Sequence, residues 1–283
     1  MTAVAGPAAA SPSPWRRALA VVASFLRRDW ATVRSYRLPF VLDVFTTFFA
    51  LFLFFFLARL VDGADLSRFE GLERGYLPFA VIGMAVFRMV QSALTSFNSK
   101  LRTEQTTGTL EALLATPTSP RLVILANATY DVLRAALSGV LMVVLALTLG
   151  VRLTTDPAAL AVTGLALLAL IGLFGALGVA VAAFGIVFKQ AGGLIGMITA
   201  GLALLGGVYF PTEVFPTWLA WIADALPFTW GVDVLRTALI TGELDTTRLL
   251  ALAASALVTL PLSLWLFKLA VDKARRDGSL GQY

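Results

Sequence analysis

Six apolar stretches divide the chain, at 38–60, 76–98, 120–150, 157–188, 191–210 and 247–270, with charged and small polar residues collected between them. Crossing roughly 30 Å of hydrocarbon at about 1.5 Å per helical residue takes about 20 residues, so the pattern predicts six membrane-spanning helices. The third and fourth stretches exceed that length, and tilt or extension into water takes up the excess. Composition agrees: 58% of residues are hydrophobic and only 14% charged, which places the chain among all-α integral membrane proteins.

Ahead of the first stretch, residues 1–14 are rich in Ala, Pro and Ser without charge, and are expected to be a disordered tail. Over 15–37 the pattern changes. Trp15, Leu19, Val22, Leu26, Trp30 and Val33 recur at three- and four-residue intervals, while Arg16, Arg27 and Arg34 share another face. This predicts an amphipathic helix lying in the membrane interface, its basic face turned to lipid headgroups or to a partner subunit. A signal peptide is the competing reading, but Arg27, Arg28 and Asp29 end the apolar run and no small-residue cleavage pattern follows. Residues 38–270 then form one six-span domain, and 271–283 a basic tail.

Between the fifth and sixth stretches, residues 206–242 are too apolar for an ordinary loop and too broken by Pro211, Pro216 and Pro227 for one crossing helix. The run from Pro216 to Leu226 reaches only about half a bilayer at about 1.5 Å per residue. A re-entrant or interfacial hairpin is expected there, since irregular backbone at membrane depth survives only where protein or water surrounds it.

Lysine and arginine set the orientation, because cytoplasmic flanks retain positive charge. With both termini inside, the inner side holds Arg16, Arg17, Arg27, Arg28, Lys100, Arg102, Arg121, Lys189, Lys268, Lys273, Arg275 and Arg276 among others. The outer segments mix Arg59, Arg68, Arg74, Arg152, Arg236 and Arg248 with offsetting acids, so the hairpin faces outward. Topology accounts for the net charge of +5, and no nucleic-acid partner is needed to explain it. The chain has neither cysteine nor histidine, which removes disulfides, thiolate chemistry and the commonest zinc ligands.

The loop between spans two and three carries the most specific short pattern, Glu104-Gln-Thr-Thr-Gly108-Thr-Leu110-Glu111-Ala-Leu113-Leu114-Ala-Thr-Pro117. It predicts a short cytoplasmic helix opened by Gly108 and closed by Pro117, with Leu110, Leu113 and Leu114 on one apolar face. Those leucines bury against the chain's own helix ends or dock into another subunit. A second pattern follows late in the chain: Tyr209-Phe210-Pro211, Phe215-Pro216-x-Trp218, then Pro227-Phe-Thr-Trp-Gly-Val-Asp233-x-Leu235-Arg236, and Gly242; Trp221 is a further candidate residue of the outer hairpin, outside the pattern.

On these two patterns the chain resembles, over nearly its whole length, the permease subunits of ABC transporters of the type-2 exporter class. The resemblance implies that 108–117 is the coupling helix docking into a separate ATPase subunit. It also implies that 211–242 forms short helices closing the exit at the outer face. Many relatives carry Gly-Lys where this chain has Ala126-Asn127, which removes a local charge contact. No Gly-x4-Gly-Lys-Ser/Thr phosphate loop occurs, so the chain is expected to be no enzyme and to hold no cofactor, ATP and Mg binding in the partner. Two copies would then form the pathway in the cell membrane, moving a drug-like amphiphile, lipid or glycan outward.

Charges inside apolar stretches are costly and need an account. Arg88 lies about 11 residues before Ser99, and Asp131 about 11 after Pro120, so antiparallel neighbours would place them level; an ion pair between Arg88 and Asp131 is expected. In the first span Phe45, Phe49, Phe52 and Phe56 form a stripe that meets lipid or lines the pathway wall. Gly172, Gly175 and Gly178 in the fourth span, and Gly192 and Gly196 in the fifth, allow close helix approach. The alternative function, a secondary transporter or channel, would favour membrane-embedded carboxylates and internal repeats; the chain shows no repeat, and only Asp43 and Asp131 fall within spans.

Overall fold

The computed structural model describes residues 14–35, 38–61, 72, 75–108, 120–188 and 191–276. All regular elements among them are helical: α1 (Pro14–Ser35), α2 (Leu38–Val61), α3 (Tyr76–Thr106), α4 (Pro120–Thr148), α5 (Pro157–Phe188), α6 (Gly192–Leu205), α7 (Thr217–Asp224), α8 (Pro227–Arg236) and α9 (Thr246–Arg276). A single 3-10 turn, Thr212–Val214, precedes α7, and a π turn, Thr237–Thr241, extends α8. Residues 1–13 of the expected tail at 1–14, residues 109–117 of the expected helix at 108–117, and 277–283 of the basic tail lie outside the described residues.

Among the described residues five helices, α2, α3, α4, α5 and α9, are long and apolar enough to cross a membrane. The expected span at 191–210 is shorter than its apolar run. Helix α6 covers 14 residues, about 21 Å at 1.5 Å per residue, because the chain breaks at Gly206 and Gly207, the latter with φ +66°. At the C-terminus the helix outlasts the expectation: α9 runs through 271–276, with Val271 and Ala274 buried, so the basic tail begins as helix.

Helices α3 and α5 are the interior of the bundle. In its most apolar window α3 is 72% buried and α5 56%, against 17% for α2 and α4 and 11% for α9, whose outer faces are left to lipid. Lipid tails are as apolar as leucine, so close packing rather than the hydrophobic effect holds such helices together. Glycine provides it at Gly178: a Cβ there would stand 2.7 Å from the Leu94 carbonyl and 2.9 Å from that of Ala93 on α3. Gly175 meets the Phe97 ring, and Gly172 faces Ala256 of α9 at 3.9 Å. Gly192 and Gly196, expected to do the same, have nothing within 4 Å of an added Cβ.

The interfacial helix α1 packs on α4 through Phe25, which meets Val123 and Ala126 with Val21 and Val22 alongside. Of the expected apolar stripe Val22 joins this contact, whereas Trp15, Leu19 and Trp30 are exposed. A helix holding the bundle by one edge while presenting tryptophans outward has the pattern of an interfacial anchor.

Candidate functional site

Three places bring polar chemistry or irregular backbone to membrane depth. The first is the end of the molecule where α3 runs out. Glu104 stands in the last turn of α3, and Gly108, with φ +71°, sits in the turn that ends it. Leu110, Glu111, Leu113, Leu114 and Pro117 lie outside the described residues. What is described is a latch beside them. Arg28 donates from Nη1 to Glu104 Oε1 at 3.0 Å, and Lys100 Nζ donates to Asp29 Oδ2 at 2.7 Å. Arg28 Nε also donates to Asp29 Oδ1 at 3.1 Å, and Asp29 and Glu104 are both buried. Helix α1 is thereby tied to the segment that leads into the 108–117 loop.

The second is a polar cavity of about 380 Å³ between α2, α3 and α4, lined by Asp43, Arg88, Gln91, Asp131, Arg134 and several serines. Here the expected pair is corrected. Arg88 does not reach Asp131: its Nη2 donates to Asp43 Oδ1 at 2.8 Å and its Nη1 to Thr47 Oγ1 at 2.7 Å, both on α2. Asp131 faces Lys100 at 3.8 Å, and Arg134 stands 3.4 Å from the other oxygen of Asp43. The reason is register. Helix α3 continues to Thr106, past the expected end near Ser99, so the counts from the two helix ends did not start level. Ser92 Oγ donates to the Asp131 carbonyl at 3.2 Å, which sets Asp131 one turn of α3 away from Arg88. None of Phe45, Phe49, Phe52 and Phe56 joins this cavity. Their rings stack along the exposed face of α2, Phe45 on Phe49 at 6.5 Å and Phe52 edge-on to Phe56 at 4.9 Å.

The third is the hairpin. Its two limbs are buried to different degrees. The run after Pro216 becomes α7, which buries only Ala223 and leaves Trp218 and Trp221 exposed. The inserted limb is α8, started by Pro227 in the first turn, where a missing N–H costs nothing. Phe228, Gly231, Val232, Val234, Leu235 and Arg236 are buried against α3, α5 and α9. Ten residues make about 15 Å of helix, half a hydrocarbon core. The Phe228 ring is held edge-on by Phe87 at 6.3 Å and by Phe174 at 5.8 Å.

Arg236 closes this limb. Its Nη2 donates to the carbonyls of Gly207 at 2.6 Å, Phe79 at 3.1 Å and Val208 at 3.3 Å, and Nε donates to Phe79 at 3.3 Å. The guanidinium also lies over the Phe79 ring, and an arginine keeps its charge in proteins. Gly83 makes the room: a Cβ there would stand 2.6 Å from Nη2. The adjoining strand of irregular chain is fixed by Tyr76, whose hydroxyl donates to the Tyr209 carbonyl at 2.8 Å, and by Phe54, which stacks on Tyr209 at 5.6 Å. Phe210 meets Phe215 edge-on at 5.4 Å across Pro211. Beside Arg236 a second cavity of about 250 Å³ is lined by Glu213, Asp224, Asp233 and Arg248.

The hairpin motif marked Arg236 as part of the outer closure, yet Phe79, Gly83 and Gly207 carried no sequence signal for it, since backbone carbonyls have none. The Asp29–Lys100 latch and the Asp43 pairing were also missed. Asp43 had a signal, being a charge in an apolar run.

Among the described residues an all-helical bundle with five helices of membrane length, a short sixth apolar helix and a buried half-helix defines a multi-pass membrane protein with the build of a permease. The chain matches the family model described as ABC-2 type transporter over residues 20–240, and it belongs to that family. The matched segment starts within α1 and ends in the π turn after α8, so it contains the latch, the first cavity and the hairpin as far as Ile240. Comparison with individually curated proteins returns no match. As an ABC-2 membrane domain the chain is a transport component and not itself catalytic.

Proposed function

We propose that this chain is the permease subunit of an ATP-driven exporter, working as a dimer with separate ATPase subunits. The observation that carries the reading is the family match over 20–240, which spans the loop motif and the hairpin together. Permeases of this family normally pair with an ATPase subunit. In this reading residues 104–117, with Glu104, Gly108, Leu110, Glu111, Leu113, Leu114 and Pro117, receive the ATPase, and ATP and Mg bind there rather than here. The latch of Arg28 and Asp29 to Glu104 and Lys100 supports it, because it gives a push on the loop a rigid route into α3 and α1.

The hairpin serves as the outer closure, with α8 as its fixed limb and α7 as its exposed one. Arg236 anchors α8 to the start of α3, so a shift of α3 carries the closure with it. Transport then follows from a change in population between inward- and outward-open dimers driven by the ATPase. Both termini are cytoplasmic and the membrane is the plasma membrane. The cargo is an amphipathic drug-like, lipid or glycan molecule. The test is to reconstitute the chain with its cognate ATPase in vesicles and follow hydrolysis with candidate amphiphiles added. Stimulation that requires both subunits supports the reading, and hydrolysis indifferent to this chain opposes it.

A further inference from the structure

The cavity between α2, α3 and α4 holds two opposite charges whose hydrogen-bonding capacity is unspent. Among the described residues, the Arg134 guanidinium makes no hydrogen bond and its contact is the 3.4 Å ion pair with Asp43, a carboxylate that already accepts from Arg88 at 2.8 Å. The Asp131 carboxylate likewise accepts no hydrogen bond among the described residues, with Lys100 Nζ standing off at 3.8 Å. Lys100 is itself committed to Asp29 at 2.7 Å. Gln91 and Ser138, also on the wall, spend no side-chain hydrogen bond on the described residues. Asp131 and Arg134 are three apart on α4, so they neighbour each other on one helix face.

Charged groups at membrane depth are expensive unless paired, and this wall pairs Asp131 and Arg134 loosely while leaving a space of about 380 Å³ in front of them. The four charged side chains lining it, Asp43, Asp131, Arg88 and Arg134, balance to zero. A ligand with a net charge would unbalance the wall; one with both signs would not. A guanidinium presents a fork of donors suited to a phosphate or carboxylate, and a free carboxylate suits an ammonium.

We propose that this cavity binds the zwitterionic headgroup of an amphiphile, its phosphate or carboxylate on Arg134 with Gln91 and Ser138, and its ammonium on Asp131. The inference deepens the permease reading and rests on it for placing α2, α3 and α4 in a bilayer. The same chemistry has two sources, a bilayer aminophospholipid or a transported amphiphile.

The test uses the full chain purified without any ATPase in a neutral maltoside detergent. Binding of fluorescent phosphatidylethanolamine is compared with phosphatidylglycerol, which has the phosphate without the ammonium, and with dioleoylglycerol, which has neither. The wild type should bind phosphatidylethanolamine about tenfold tighter than phosphatidylglycerol, one charge-assisted contact being of that order. Arg134→Gln should weaken both phospholipids about tenfold. Asp131→Asn should bring the ratio between them close to one, a change of selectivity that loose folding does not produce. Equal binding of phosphatidylethanolamine and dioleoylglycerol by the wild type, or an unchanged ratio in Asp131→Asn, overturns the proposal.

A second arm separates the sources. With the ATPase restored in phosphatidylglycerol vesicles, ATP-dependent movement of the labelled phosphatidylethanolamine between leaflets makes it cargo; binding without movement makes it a resident lipid. Both support the site. Loss of binding with ATP-coupled export intact overturns the cavity alone, whereas intact binding with no coupled export of any amphiphile overturns the permease reading alone.

Discussion

The guanidinium of Arg236 lies 3.4 Å from the centre of the Phe79 ring while its Nη2 donates at 3.1 Å to the carbonyl of the same residue. Ring and carbonyl together hold one side chain from 157 residues away in the sequence. Because Gly207 and Val208 share the same cation, three parts of the chain meet on one buried group: the start of α3, the broken end of α6 and the last residue of α8. A half-helix that cannot span the membrane is fixed in depth by this contact.

Replacing Arg236 with Leu should therefore strand the Gly207 and Val208 carbonyls and release α8. The expected loss is at least about 2 kcal/mol, from two or three buried acceptors at about 1–3 kcal/mol each. Arg236→Lys should recover only part, since an ammonium cannot reproduce the planar fork. Thermal unfolding of the purified chain in detergent reads both. Gly83→Ala should mimic part of the effect, about 1–3 kcal/mol, by pushing a methyl against Nη2. Wild-type stability in Gly83→Ala would mean that the close approach is not tight.

The corrected ion pair is open to a double-mutant cycle. Arg88→Gln and Asp43→Asn should couple by about 0.5–3 kcal/mol, whereas Arg88→Gln and Asp131→Asn should be additive within about 0.5 kcal/mol. Strong coupling to Asp131 instead would restore the pairing expected from counting along the two helices.

Glycines at equivalent-looking positions should behave differently. Gly178→Ala places a methyl against two backbone carbonyls of α3, and should cost about 1–3 kcal/mol because backbone must move. Gly196→Ala has open space around it and should be neutral for the stability of the single chain. Stability curves for the two variants, measured side by side, decide the matter; equal losses would contradict the packing of α3 on α5.

Trp218 and Trp221 should be dispensable for folding and matter for function. Both are exposed on α7, so Trp218→Ala and Trp221→Ala should change stability by no more than about 0.5 kcal/mol, as surface substitutions do. Loosening the outer limb should show as leak or altered cargo range in a vesicle assay. Unchanged leak and transport would make α7 a passive interfacial anchor.

What was legible in the chain follows from the strength of each signal. The apolar run at 157–188 gave α5 to the residue, because Asp156 and Pro157 begin it and Lys189 follows it. Length alone overstated the span at 191–210, since glycine is counted with its apolar neighbours yet ends the helix at Gly206 and Gly207. The prolines announced a hairpin, but burial depends on what the other helices leave open; α8 fits beside Leu170 through Gly231, and α7 has no such slot. Arg88 was recognisable as a residue needing a partner. Which acid it takes depends on where α3 ends, and the polar turn over 99–106 gave no boundary.

The central claim is that this permease is driven through the loop between α3 and α4 by a nucleotide-hydrolysing partner. Its most direct test is Leu113→Asp in a reconstitution with that partner, reading cargo-stimulated ATP hydrolysis and partner retention together. The account predicts normal membrane insertion with the stimulation and the retention both lost. A Leu113→Asp chain that keeps its partner and its full cargo-stimulated hydrolysis would contradict it.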